Sequence, residues 1–179
     1  MPGNSFLKFV PASGKLEGES LQKGHEGKDG WIEIADWSWD VEAETSFMKG
    51  TGAAVGKPTP GTFSFTHYYD RSSPTIMNMI VQGTTFKTMQ VDMLKQTGAS
   101  SGPVKFFQIM AKDVFITKVS SKGGEDGQVT QDVECVFKQV AFGYKMQNNN
   151  GELAKSPTEF KWNIAAMNLT VDGDLKVFA

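Results

Sequence analysis

Polar and apolar residues alternate along most of this chain, the period of strands that bury one face and wet the other. Strand character appears at 5–10, 31–45, 62–69, 85–96, 104–120 and 128–147, and more weakly at 158–165. Glycine-rich connections lie between them: "KGTGAAVGKPTPG" at 49–61, "GASSG" at 98–102 and "SKGGEDG" at 121–127. They read as turns and loops, the first as a long flexible loop. One stretch departs from the period of two. In "DRSSPTIMNMIVQG" the apolar residues Ile76, Met77, Ile80 and Val81 recur at helical spacing. Ser73 is placed to cap free amides, Pro74 suits a first helical position and Gly83 a stop. The spacing predicts a single helix over 74–82.

The longest strands change inward parity once. Ile32 and Ile34 give way to Trp37, Trp39 and Val41; Phe107, Ile109 and Ala111 to Val114 and Ile116; Val133, Cys135 and Phe137 to Val140, Phe142 and Tyr144. One inserted residue, a β-bulge, produces such a jump and bends the strand while keeping its apolar face inward. Bulges are expected at Ala35 and Asp36, at Lys112 and Asp113, and at Lys138 and Gln139. Long bent strands let a sheet curl upon itself. The expected fold class is mainly β: a small closed antiparallel β-barrel, or a tightly folded sandwich, of bent strands with one short α-helix, all of 1–179 forming one domain.

In "WIEIADWSWDVEAET" the two indoles of Trp37 and Trp39 share a face. Burying them in the core with Phe137 sends Ser38, Asp40, Glu42 and Glu44 outward, onto a small polar surface that contact with solvent is enough to explain.

With 179 residues the chain can bury a core without a metal or disulfide. Its net charge of −2 gives no pull toward nucleic acid or an anionic membrane. A single cysteine, Cys135, excludes an intrachain disulfide and makes a reducing cytoplasm the default folding compartment. The opening "MPGNSFLKFVPASGK" lacks a basic start followed by an apolar core, and no run reaches the ~18 apolar residues of a membrane span. If this protein leaves a cell, it is expected to do so without a cleaved signal.

Little in the sequence suggests catalysis. His25 and His67 lack metal-ligand spacing, and Cys135 sits mid-strand, where a buried inert thiol is the ordinary case. Gly50, Gly52 and Gly56 have the wrong spacing for a dinucleotide loop, and no helix follows to receive a phosphate. The acidic turns "GGEDG" and "VDGDL" lack a twelve-residue calcium loop. No cofactor, metal or enzymatic activity is expected.

Five blocks then occur in order: "GH…GWIEIADWSW", "FSFTHYYDRSSPTIMNMI", "FFQIMAKDVFITKVS", "GGEDGQVTQDVECVFKQVAFGY" and "FKWNI". Together they resemble the Hcp (haemolysin-coregulated protein) family, which forms the inner tube of the bacterial type VI secretion system. The likeness spans 5–166. It implies a homohexameric ring that stacks into a hollow tube, driven out by a contractile sheath with a VgrG-type tip spike and able to carry small effector proteins. Such a protein would be made in the bacterial cytoplasm and then secreted. By this resemblance Ser38, Asp40 and Glu42 would face the ring's lumen, and the loop at 49–61, with Lys49, Gly50, Thr51, Gly52, Val55 and Lys57, would meet the next ring. After "FKWNI" the chain departs from the family pattern in a short C-terminal extension at 167–179, ending in a weakly alternating "LKVFA" and expected to add an edge strand, dock on a neighbouring ring or fray. A monomeric carbohydrate- or ligand-binding β-barrel, with Trp37 and Trp39 as an exposed stacking platform, is the alternative reading.

Overall fold

The computed structural model describes residues 4–48, 52–98 and 102–179. Among the described residues ten strands and one α-helix follow in order: β1 (Ser5–Pro11), β2 (Trp31–Ile34), β3 (Asp36–Ser38), β4 (Val41–Met48), β5 (Gly52–Pro60), β6 (Phe63–Tyr68), α1 (Ser72–Gln82), β7 (Phe86–Lys95), β8 (Val104–Gly123), β9 (Val129–Tyr144) and β10 (Thr158–Asn163). The main antiparallel sheet runs β2-β1-β7-β8-β9-β6-β3, with β10 added beside β9, and β4 and β5 pair apart from it. The fold is mainly β with one helix. The strand order is an open path, so the closed barrel expected from the sequence is not established by the pairing.

Segment 31–45, expected as one bulged strand, is three strands. Up to Ile34 it pairs with β1 (Ser5↔Ile34), and from Asp36 it pairs with β6 (Asp36↔Thr66). Ala35 is where the partner changes, its N–H donating to the Thr66 carbonyl at 2.8 Å. After Ser38 the chain leaves the sheet. The loop expected at 49–61 is largely strand β5, paired with β4 through Val41↔Pro60, Glu42↔Thr59 and Ala43↔Pro58. Prolines fit there because β5 has a partner on one side only. Lys49, Gly50 and Thr51 lie outside the described residues.

On β7, β8 and β9 the parity changes at a single row. Phe86, Val114 and Phe137 pair on one side of it, and Thr88, Lys112 and Gln139 on the other. Between them Lys87, Asp113 and Lys138 drop out of the ladder together without shifting its register. Asp113 adopts φ 55, a left-handed conformation that aspartate tolerates better than most residues. The bulges expected at Lys112 and Asp113 and at Lys138 and Gln139 are therefore corrected. A bulge lengthens one strand, whereas facing strands that skip together stay in step. Register shifts fall elsewhere on these strands, at Met93/Leu94 and Ile116/Lys118.

Inward residues of every main-sheet strand meet in one core, including Leu7, Ile32, Phe65, Val91, Ile109 and Val140. Phe9 and Phe86 stack at 4.3 Å within it. Burying each such side chain contributes about 1.5–3 kcal/mol. Phe137 belongs to this core, while Trp37 and Trp39 are half-buried and pack against it from the margin. Trp37 stacks on Phe63 (5.8 Å) and Phe107 (5.6 Å), and Trp39 meets Phe137, Phe142, Phe160 and Trp162. Each indole N–H is used, Trp37 on the Met93 sulfur and Trp39 on the Gly61 carbonyl. Rings engaged on several sides do not form the open platform that a stacked sugar requires.

The helix begins two residues before its expected start, because the cap is not the one foreseen. Asp70 accepts the Ser72 N–H at 2.8 Å, and Ser73 Oγ accepts the Asp70 N–H at 3.1 Å, a reciprocal cap. Gly83, at φ 66, ends the helix. Ile76 enters the core, but Val81 is 85% exposed. Buried His67 shares a 2.7 Å hydrogen bond with Gln131 Oε1, and Gln131 donates to the Ser73 carbonyl, tying β6, β9 and α1 together.

The segment at 167–179 forms no strand. Its first residues make a turn closed by Asn163 N–H on the Asn168 carbonyl (2.8 Å). The remainder crosses the outer side of β8 and β9, burying Leu175 and Val177 against Ala141.

Candidate functional site

The row of Lys87, Asp113 and Lys138 divides β8 and β9 into two halves with different outer faces. Beside β6 and β3, the outer face is open and mostly polar, with the exposed pair Phe115 and Val136 next to the dividing row. Two cross-strand rows run over it: Ser38, Ser64, Glu134 and Lys118, then Asp36, Thr66, Asp132 and Ser120. They lie outward because Phe63, Phe65, Val133 and Cys135, which alternate with them, are buried. Lys122 joins the same shallow depression.

One carboxylate on this face is paired. Thr66 Oγ1 donates to Asp132 Oδ1 at 2.6 Å, and Lys122 Nζ lies 3.0 Å from Asp132 Oδ2. The Thr66 hydroxyl first, and the Lys122 ammonium with it, hold the Asp132 carboxyl below its usual range. The face therefore offers short hydroxyls and ions of both signs, a surface suited to hydration and weak contact.

Ser38 lies on this face and is exposed. Asp40 and Glu42 do not accompany it. Asp40 sits in the link after β3, its carbonyl accepting the Gly61 N–H at 2.9 Å, and a Cβ on Gly61 would collide with the Asp40 carboxylate. Glu42 stands on the hairpin opposite Thr59. Alternation along a continuous strand had placed all three together; the chain's departure after Ser38 separates them. Their places are taken by Ser64, Thr66, Lys118, Ser120, Asp132 and Glu134, which share one surface through strand order. The signal for two of them was present in "FSFTHY", where Ser64 and Thr66 alternate with buried Phe63, Phe65 and His67. Of the proposed ring-contact residues, Gly52, Val55 and Lys57 lie in β5. The hairpin makes its contacts chiefly within itself, and residues 41–45 and 56–59 are exposed.

Other groups with chemical potential serve the fold. Asp92 is buried and receives His25 Nε2 at 2.8 Å, Gln108 Nε2 at 2.7 Å and Gln90 Nε2 at 3.0 Å, with Lys105 Nζ 3.4 Å away. Burial pushes its carboxyl up, but the His25 hydrogen bond, followed by Gln90, Lys105 and Gln108, outweighs this and leaves it below its usual value. The ring of His25 also packs on Phe6 and Trp31, pinning the preceding loop to the sheet. Burial drives the Cys135 thiol far up, away from the reactive thiolate. Among the described residues no group of three or more His, Cys, Asp or Glu side chains is placed to hold a metal, and no helix is long and apolar enough to cross a membrane.

Comparison with known proteins agrees with this architecture. The family model described as "Type VI secretion system effector, Hcp" matches residues 6–144. Protein hcp1 of Pseudomonas aeruginosa is 31% identical over 166 residues, covering 92% of this chain and 96% of that protein. A structure described as that of a type six secretion system protein superposes with a TM-score of 0.80 at 22% identity, covering 92% of this chain and 97% of the other. Hcp1 from Salmonella typhimurium gives 0.71 at 24% identity, covering 93% and 98%. These structural likenesses concern the fold, while the family match and the Pseudomonas relative extend over most of the sequence. The chain belongs to the Hcp family of type VI secretion proteins.

Proposed function

We propose that this chain is a structural subunit of the type VI secretion tube, acting as one domain that assembles into hexameric rings with the open polar face turned to the lumen. The observation that carries the lumen assignment is the composition of that face. Four strands place serines, a threonine and charges of both signs side by side, without a nucleophile and base set for catalysis. Such a wall lets cargo pass or rest without tight adhesion. Ser38 contributes to it directly, whereas Asp40 and Glu42 stand apart on the link and the hairpin.

The Trp31 to Ser38 stretch supports a curled and closed sheet, since one continuous run of chain serves β1 and then β6, the two flanks of the open path. The β4–β5 hairpin is suited to reach a neighbouring ring, with Gly52, Val55 and Lys57 on its second strand; Lys49, Gly50 and Thr51 precede that strand in the sequence. A stacked tube of this kind would work with a contractile sheath and a VgrG-type tip spike, hold small effector proteins in its lumen, and leave the cell as the exported object. Its role would be mechanical and not enzymatic.

Light scattering of the purified protein tests the ring. A hexamer of 19.6 kDa subunits is expected, with electron microscopy showing rings that have an open centre. A monomer at every concentration would overturn the proposal.

A further inference from the structure

The outer face on the other side of the dividing row is covered by the chain's own closing segment, and its contacts are those of a binding groove with a ligand in it. Gln139 Oε1 accepts the Asp172 N–H at 2.9 Å, and Gln108 Oε1 accepts the N–H of Phe178. Both glutamines are buried, at 8% and 3% exposure. Two side chains on one sheet face thus read main-chain amides six residues apart in the segment. Lys112 Nζ lies 2.6 Å from Asp172 and 3.1 Å from Asp174. Leu175 and Val177 are buried on Ala141, and Met110 and Phe178 pack beside them. Gly143 is the floor at the Val177 end. A Cβ there would stand 2.7 Å from Val177 Cγ2 and 2.8 Å from Phe178 Cε2. Lys145 and Lys105 place their ammonium groups 4.8 Å and 5.7 Å from the centroid of the Phe178 ring. Phe178 itself is held at φ 56, a conformation that a bulky residue keeps only where its surroundings impose it.

The connection to this segment is held by fewer contacts. Residues 165–170 are all exposed; the Asn163 and Asn168 turn and the Ala165 N–H on the Lys138 carbonyl (3.2 Å) tie its start to the body, and the Met167 sulfur lies 3.9 Å from Lys57 Nζ. Six residues extend about 20 Å, enough for the segment to leave its own groove and enter one on an adjacent molecule.

We propose that the outer face of β8 and β9 around Gln108, Lys112, Gln139 and Gly143 is a peptide-binding groove for the sequence at 171–178. It is filled in cis here, and it exchanges that segment for the same segment of a second copy. The ligand class is a short peptide with two acidic residues followed by alternating apolar side chains, read through backbone amides, charge and a glycine-floored cleft. This inference does not depend on the tube assignment.

A fluorescent peptide of residues 171–179 provides the probe. The full chain carrying Leu175→Asp and Val177→Asp, its own segment unable to dock, is expected to bind the peptide saturably and at least tenfold more tightly than the wild type. In the wild type the tethered segment competes at an effective concentration on the order of millimolar. Adding Gly143→Val to the tail-disabled chain should abolish binding. Equal weak binding to both chains, or binding indifferent to Gly143→Val, would overturn the proposal. Hydrogen exchange on the wild type gives a second measurement that needs no variant. Peptide with Phe178→Ala should fail to displace the cis segment and leave its amides protected, whereas native-sequence peptide at roughly ten millimolar, above the effective concentration of the tether, should exchange into the groove and accelerate exchange at the cis Asp172 and Phe178 amides. No acceleration by the native-sequence peptide would also overturn it.

Discussion

The two outer faces of β8 and β9 share the same strands and the same core, yet one lies open and the other is covered. On the open side the outward positions are Phe115, Lys118, Ser120, Asp132, Glu134 and Val136, joined by Ser64 and Thr66. On the covered side they are Gln108, Met110, Lys112, Gln139, Ala141 and Gly143. Ions and hydroxyls keep their water at little cost, so a face made largely of them needs no lid, even with Phe115 and Val136 beside the dividing row. A face of methionine, alanine and glycine gains by losing water, and its buried glutamines must find partners. The closing segment supplies both. Alternation decides which residues point out; the chemistry at those positions decides whether the outside stays outside.

The largest effect should come from the core common to both halves. Phe137, 6% exposed, lies beside the dividing row. Phe137→Ala is expected to cost about 3–5 kcal/mol. Urea unfolding should show this as a single transition in both tryptophan fluorescence and circular dichroism. Two separated transitions would break the picture of two faces resting on one core.

Leu175→Ala acts on the covered face alone. About 2 kcal/mol is expected, at the low end for a buried leucine because the segment has solvent on its far side. Amide exchange should rise across 171–178 and stay unchanged at Ser64, Thr66 and Asp132. A matching rise on the open side would show that the faces are not independent.

Acid should loosen the covered side through Asp92, whose Gln108 partner also holds the Phe178 amide. Its carboxyl titrates below the ordinary value of 3.8 when folded, so its contribution is present above that value and is lost as pH falls through the lower folded pKa. Urea midpoints measured downward from about pH 5 should therefore fall more steeply for the wild type than for Asp92→Asn. Parallel profiles would mean that the His25, Gln90, Lys105 and Gln108 contacts do not favour the ionised form.

The smallest change in stability is expected for Ser38→Arg on the open face, within about 0.5 kcal/mol. Rings should still form, while small proteins that co-purify with them should decrease, since six added guanidinium groups would converge on one aperture. Loss of rings from a folded monomer would instead place Ser38 at a subunit contact.

Much of the strand content was legible because burial imposes a period of two on whatever lies between core and solvent. Phe63, Phe65 and His67 could be assigned inward, and Ser64 and Thr66 outward, from five consecutive letters. The helix was legible from its spacing, although its cap fell to Asp70 because a carboxylate two residues earlier reached the free amide first. The parity jumps on β8 and β9 were also visible, but their meaning was not. A jump in one strand looks like a bulge until its partner is known to jump at the facing position.

What the sequence determined by itself was local: which segments extend, which one coils, which side chains seek the core, and, through five ordered blocks, the family. What only the tertiary structure decided was pairing. Ala35 gives no sign that its two sides serve different strands, and "GAAVGKPTPG" reads as loop because nothing in it announces that β4 lies alongside. Glu42 was grouped with Ser38 by a periodicity that ends where the chain leaves the sheet. The weak pattern of "LKVFA" suggested an edge strand, a dock on a neighbouring ring or a frayed end, yet Gln108, Gln139 and Gly143, some 30 to 70 residues earlier, hold it down. Periodicity is a property of consecutive residues; a partner is a property of the fold, and no local energy term carries it.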